Sequence, residues 1–231
     1  MPCCNEGQTI ALLVREICRQ LPTVIVVNDG STDQTAVLAA AAGAQVLKHP
    51  HNLGKGAALK TGLAAAAAQG FAWAFTMDGD GQHQPADIPS FLQCAEQTGA
   101  ALVVGNRMYD AHSIPWLRRL VNLSMSRLLS RRVGRVLPDS QCGYRLLFLK
   151  AWAARRLETN HFEIESEMLL AFLAAGHHIE FVPIQVVGKG HGSRIHPLVD
   201  TLRWFKWWRS VPRLSAAHLP KERDAPLKGG C

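Results

Sequence analysis

Phe71-Ala-Trp-Ala-Phe-Thr-Met77 runs straight into Asp78-Gly-Asp-Gly-Gln-His-Gln-Pro85. The apolar run is too short for a helix and reads as a strand. The glycine- and carboxylate-rich stretch after it breaks it abruptly at Asp78. The same unit recurs upstream. Thr23-Val-Ile-Val-Val27 is a β-branched run closed by Asn28-Asp-Gly-Ser-Thr-Asp-Gln-Thr35, where Thr32 or Asp33 is placed to cap the alanine-rich helix that follows. A short strand at Gln45 to Lys48 precedes Gly54-Lys-Gly56, which opens a helix to Ala68 that Gly70 ends. Downstream, a helix over Ala86 to Gln97 leads to the strand Ala101 to Val104. Strands alternating with helices predict an α/β fold, a mostly parallel central sheet flanked by helices. Ligands on such sheets bind beyond the carboxyl ends of the strands, the edge on which these polar loops fall.

The 231 residues are 48% hydrophobic and 19% charged, enough for one large domain with a sizeable core and too apolar for global disorder. A net charge of +7 favours phosphate-bearing partners: nucleotides, nucleic acid or an anionic membrane. Cysteines at 3, 4, 18, 94, 142 and 231 show no Cys-x-x-Cys spacing, which fits reduced thiols and a cytoplasmic setting. No signal-peptide pattern or membrane-spanning apolar run is present in the sequence. Pro2-Cys-Cys-Asn-Glu6 reads as a loop that follows a strand, so a first strand is expected to be missing before Pro2, leaving a costly unpaired edge.

The domain is expected over 1–212, with a polar, Pro/Gly-rich disordered tail over 213–231. Two basic amphipathic stretches stand out. One, 113–136, carries Arg118, Arg119, Arg127, Arg131, Arg132 and Arg135, with no acid between Asp110 and Asp139. The other, 197–209, sets Trp204, Phe205, Trp207 and Trp208 beside Arg203, Lys206 and Arg209. These aromatics either cover the core or a dimer contact, or lie in a membrane interface, and the membrane reading is preferred. Further elements are a helix over Ile164 to Ala175 and a strand over Ile179 to Val187.

The loops carry the chemistry. Asp78, Asp80 and Gln82 offer hard oxygen ligands to Mg²⁺ or Mn²⁺, and the intervening glycines let the backbone bend around an ion. The loop is no EF-hand, because His83 stands at the sixth position and Pro89 at the twelfth. Asn28-Asp-Gly-Ser31 is either a capped turn or a carboxylate for a nucleoside. Gly54-Lys55-Gly56 is either a helix start or a helix N-terminus near a diphosphate, and it lacks the spacing of a P-loop. Among ten histidines only His83, inside the acidic loop, is suspect.

Together and in order these loops resemble the family 2 glycosyltransferases, most closely the polyprenyl-phosphate (dolichol-phosphate-like) sugar transferases. The resemblance rests on Pro2 to Glu6, Asn28 to Thr35, Gly54 to Ala58, Asp78 to Pro85, Asp139 to Arg145 and Phe162 to Glu165. It implies a GT-A-like nucleotide-binding sandwich and an inverting transfer from a nucleotide-diphosphate sugar, with Mg²⁺ or Mn²⁺ as cofactor. Pro2, Glu6, Val27 and Asp29 would contact the nucleoside, Asp78 and Gly79 the nucleotide sugar, and Asp80 with Gln82 the metal. Asp80, Arg107 and Asp139 are the expected catalytic residues, with Lys55, Arg107, Arg119, Arg145, Lys189 and Arg194 binding substrate. Cys4 stands where the family usually has Tyr, and Asn28 replaces the first Asp of its motif.

A lipid phosphate is already largely ionised near neutral pH and needs cations more than a base, which suits the arginine-rich stretch. A hydroxyl acceptor would need a base, for which Asp139 and Glu165 are the candidates. The expected partners are therefore a nucleotide-sugar donor, a polyprenyl-phosphate acceptor and a membrane surface, with no nucleic acid; no residue pattern reports the oligomeric state. The competing readings are a sugar-phosphate nucleotidyltransferase, an anion- or nucleic-acid-binding protein, and a truncated, inactive relative.

Overall fold

The computed structural model describes residues 1–109, 115–154, 156–187 and 197–211. Lys189, Arg194 and the expected tail lie outside them. The strands form two sheets. The first is parallel: β1 (Pro2–Cys3), β2 (Ile25–Asp29) and β3 (Gln45–His49), in that order. The second has the order β4-β6-β5-β7, built from β4 (Trp73–Thr76), β5 (Leu102–Asn106), β6 (Arg145–Phe148) and β7 (Ile179–Pro183). In it β5 and β7 are parallel, while β6 is antiparallel to β4 and β5. The α/β alternation holds through β5; the mixed pairing comes from β6, which the strand–helix rhythm does not announce.

The stretch read as a loop, Pro2 to Glu6, begins in a strand of its own. Pro2–Cys3 is itself a strand, pairing with Val27 and Asn28. The Met1 amino group donates to Ile25 O at 2.7 Å, and Val27 N–H donates to Met1 O at 2.8 Å. Between this short β1 and β4 there is no ladder. An apolar cavity of about 180 Å³ lies along the seam, with Met1, Ile25 and Leu63 on one side and Phe75 and Leu146 on the other.

Helices pack by burying one stripe each. In α1 (Ile10–Cys18), Ile10, Leu13, Val14 and Ile17 recur at helical spacing and are all buried. Helix α2 (Thr35–Ala41) has Gln34 at its cap position with no side-chain cap bond; Asp33, one residue before, accepts the Thr35 N–H at 2.9 Å, so neither Thr32 nor Asp33 is the cap itself. Helix α3 (Lys55–Ala68) starts after Gly54 at φ 100°, where a Cβ would also collide with Asn160 O and the His161 ring. Gly54→Ala is therefore expected to lower stability by more than about 1 kcal/mol, measured by urea unfolding, whereas the open, exposed Gly99 tolerates the change better despite its own positive φ.

The remaining helices are α4 (Ile88–Thr98), α5 (Trp116–Val133), α6 (Leu149–Ala153), α7 (Ile164–Ala174) and α8 (Pro197–Ser210). Trp204 on α8 is buried, with its indole N–H on Ser166 Oγ at 2.8 Å. Trp207 and Trp208 also pack on the core, and the Arg132 guanidinium sits 4.5 Å over the Trp208 ring. The three tryptophans are thus core-facing, which corrects the membrane reading given to them: the helical spacing that gathers them also turns them inward.

Candidate active site

The carboxyl ends of β1, β2, β4 and β5 converge on one cleft of about 140 Å³. Pro2, Glu6 and Asp29 line it from the first sheet. Lys55 enters from the start of α3, Asp78, Gly79 and Asp80 from the loop after β4, and Arg107 from the end of β5. Eight expected residues, scattered over more than a hundred positions, share this one space.

Each wall has a local cause. Asp29 is buried; its carboxylate accepts N–H bonds from Leu53 and Gly54, both at 2.9 Å, and contacts His49 Nδ1 at 2.7 Å. It therefore fixes the entry to α3 as well as facing the cleft. Gly79 is required by space: a Cβ there would fall 2.5 Å from Cys3 Sγ. Thr9 donates its hydroxyl to Gly79 O at 2.6 Å, tying α1 to the acidic loop across the seam.

Two ion-pair systems lie side by side. Lys55 Nζ sits 2.7 Å from Asp78 Oδ1 and 2.6 Å from Glu165 Oε1, and 5.5 Å from the Phe162 ring centroid. Burial alone would raise the Asp78 carboxyl, but Lys55 and His83 outweigh it and hold Asp78 far below the usual carboxylate range. Arg107 donates Nε–H and Nη2–H to the two oxygens of fully buried Asp139, at 2.8 and 2.9 Å. Burial opposes ionisation of Asp139 too, yet Arg107 holds this carboxyl down.

Both carboxyls titrate lower in the folded than in the unfolded chain. Their stabilisation is complete above the unfolded value of about pH 4 and is lost as pH falls below it. Unfolding midpoints measured against pH should accordingly drop steeply below about pH 4, and Asp139→Asn should flatten that limb.

Several expected residues sit elsewhere. Val27 is wholly buried: a Cβ on Gly62 of α3 would come within 3.2 Å of its Cγ2, so it packs α3 on the sheet. Arg145 is buried, and its guanidinium donates to the carbonyls of Cys142, Glu165 and Ser140; it braces the turn before β6 and does not line the cleft. Arg119 is exposed on α5, and its neighbour Arg118 faces the cleft instead. Burial and the nearby Arg107 lower the Arg118 guanidinium from its ordinary value. Gln82 does not line the cleft; its carbonyl accepts Val187 N–H and its own N–H donates to Asp80 Oδ1.

At the N-terminus of α3, Gly56 and Ala57 N–H both donate to Asn160 O. These two donors are therefore turned to the chain and not to the cleft. Asp139 is locked in its ion pair and poorly placed to act as a base. His83 is buried against Tyr144, with Nε2 3.9 Å from Asp78 Oδ2. Sequence reasoning missed Gln141 and the Phe162 ring as wall residues; their position beside Asp139 and Glu165 in two of the quoted motifs was the available signal.

Arg107, Arg118, Gln141 and Phe162 also line a second cavity, of about 410 Å³. Its walls come from α5, with Leu117, Val121 and Met125, and from α8, with Thr201 and Trp204. The two spaces meet at a pair of guanidinium groups, polar on one side and largely apolar on the other.

The sequence profile described as Glycosyl transferase family 2 matches residues 1–153. The chain belongs to this family. Among glycosyl transferase family 2 relatives and other similar proteins, it is 28% identical over 210 residues to the UDP-N-acetylglucosamine–dolichyl-phosphate N-acetylglucosaminyltransferase of Methanococcus voltae, covering 81% of this chain and 84% of that one. It is 31% identical over 157 residues to the polyprenol monophosphomannose synthase of Mycolicibacterium smegmatis, covering 63% and 58%. In fold it is similar to the glucosyl-3-phosphoglycerate synthase of Mycobacterium tuberculosis, with a TM-score of 0.66 at 23% identity, covering 87% of this chain and 73% of that one. A structure of that enzyme with Mn²⁺ and UDP-glucose superposes with a TM-score of 0.63 at 22% identity, covering 87% and 73%. The α/β architecture is thus GT-A-like, and the chain is a glycosyltransferase. No helix among the described residues is long and apolar enough to cross a membrane.

Proposed function

We propose that this glycosyltransferase moves a sugar from a nucleoside-diphosphate sugar to a polyprenyl phosphate, with inversion. The observation that carries the reading is the junction of the two cavities, where Arg107 and Arg118 stand between a carboxylate-lined polar cleft and a largely apolar cavity. Such a shape suits an acceptor with an anionic head and a hydrocarbon tail. The names of the relatives support the same acceptor class.

A divalent cation fits the donor set. Asp80 lines the cleft, and among the described residues it accepts only the Gln82 N–H, at 3.0 Å. Asp78 is engaged by Lys55, and no group of three His, Cys, Asp or Glu side chains gathers around one point among the described residues. A site of one carboxylate completed by substrate phosphates suits Mg²⁺ or Mn²⁺. Asp80 would hold the ion, with Asp78 next to it, and the ion would supply charge neutralisation for the departing diphosphate.

The protein's own groups do the rest. Pro2, Glu6 and Asp29 form the nucleoside end of the cleft. Arg107, held by two bonds to Asp139, keeps Nη1 for phosphate oxygens, and Arg118 adds a second cation. An acceptor phosphate oxygen forms the new bond to the anomeric carbon as the bond to the diphosphate oxygen breaks. The electron pair leaves with the nucleoside diphosphate, so no proton has to be removed.

The test is transfer of labelled sugar from UDP- and GDP-sugars to a short-chain polyprenyl phosphate, with 3-phosphoglycerate as the competing acceptor. Label extracted into organic solvent supports the reading. Label found only on 3-phosphoglycerate overturns it.

A further inference from the structure

Resting on the reading of Asp29 as part of the nucleoside end of the cleft, we propose that His49, held in turn by Thr61, is a positioning residue for donor binding. His49 does not line the cleft and acts through the Asp29 carboxylate.

The sheet dictates the placement. Asp29 and His49 are register partners at the carboxyl ends of the parallel strands β2 and β3, so their side chains leave the sheet on one face. Val27, two residues before Asp29, shares that face, and α3 packs on it. Because Gly62 has no Cβ, α3 settles close on Val27, and Thr61 beside it comes within reach of the imidazole.

His49 Nδ1 is 2.7 Å from Asp29 Oδ1, and Nε2 is 3.0 Å from Thr61 Oγ1. The two paired side chains, His49 and Asp29, are 10% and 5% exposed, so water competes little for their bond. An ionised carboxylate only accepts, so the proton of the neutral ring lies on Nδ1, and Nε2 accepts the Thr61 O–H. Thr61 thus holds the ring in the tautomer and orientation that Asp29 needs.

The lone pairs show what this achieves. A carboxylate offers about four acceptor positions, two on each oxygen. The Leu53 and Gly54 N–H groups take one each, on Oδ1 and Oδ2. With these two alone, each oxygen would keep a spare acceptor. His49 fills the one on Oδ1. Among the described residues nothing takes the last position on Oδ2, so the cleft is offered one acceptor for a nucleoside N–H or O–H. The groups at the diphosphate end, Asp80, Arg107 and Arg118, make no bond to His49 or Thr61. The contribution of the pair therefore belongs to donor binding and not to the transfer step.

The test is calorimetric titration of the full chain with UDP and with GDP in the presence of Mn²⁺, alongside steady-state transfer. The nucleotide that binds wild type more tightly serves as the probe. His49→Ala should raise its Kd and the KM of the matching donor about tenfold, with kcat changed less than about twofold. His49→Asn should recover most of the affinity, since its amide N–H stands where Nδ1–H stood. Thr61→Val keeps the shape and loses the hydroxyl; it should raise Kd about threefold, and Thr61→Ser should restore it. The Thr61 pair keeps the test decisive if His49→Ala folds poorly. Unchanged Kd in both His49→Ala and Thr61→Val would reduce His49 to a tie between β3 and α3 and overturn the proposal. So would His49→Asn binding as weakly as His49→Ala, or a fall in kcat with donor affinity intact. A wild type that binds neither nucleotide would overturn the donor reading itself, and the proposal with it.

Discussion

Asp80→Asn is expected to lower the rate of sugar transfer on the order of 10²–10³-fold with little change in thermal midpoint. The fold has little stake in this carboxylate: among the described residues it accepts one N–H bond, from Gln82 two positions on, and it lies partly open at the cleft. The amide keeps an oxygen for that bond and loses the negative charge a divalent cation needs. Asp78→Asn makes the contrast. Asp78 is held by Lys55, whose other partner is buried Glu165, so its loss should lower stability together with activity. Paired melting curves and initial rates, with Mn²⁺ titrated in both variants, check the difference. Full activity in Asp80→Asn would remove the metal assignment.

The second large effect lies in the neighbouring ion pair. Asp139→Ala should destabilise the chain by about 3–5 kcal/mol, because it leaves the buried Arg107 guanidinium without its counter-charge. For a chain of this length that is a fall in thermal midpoint of about 10 °C. Arg107→Ala should cost a similar amount by leaving Asp139 charged and fully buried. The double variant should lose much less than the sum, and a double-mutant cycle by urea unfolding measures the difference. Additive losses would show that the two side chains act separately. On the functional side, Asp139→Asn should weaken donor binding by freeing Arg107 to reorient, consistent with Asp139 as a positioning residue.

Which residues share the cleft was largely legible because they follow strands. A strand's carboxyl end fixes where the next few side chains go, so Asp29, Asp78, Asp80 and Arg107 could be placed together from order alone. Residues whose role depends on facing were misread. Arg118 and Arg119 are adjacent in sequence, and only the packing of α5 decides which one enters the cleft. Arg145 carries the same charge as Arg107 but meets three carbonyls in place of a carboxylate, a difference set by the turn before β6. The tryptophans of α8 show the same limit, since apolar spacing marks a face without saying what lies opposite it. Strand order was hidden for a related reason: β6 reaches its antiparallel place only after the long excursion through α5.

The seam between the two sheets has a consequence for how the molecule opens. With no ladder joining β1 to β4 and an apolar cavity of about 180 Å³ along the junction, the three-stranded half is held to the rest by a shared apolar core and by side-chain bonds such as those of Thr9 and Lys55. Amide protons of β1–β3 should then exchange with solvent as one cooperative group, ahead of those in β5 and β6. The cleft wall formed by Glu6 and Asp29 belongs to the early group, and Asp78 and Arg107 to the late one. A ligand bound across the cleft would act as a clasp between the two sheets, slowing exchange most in the half that opens first.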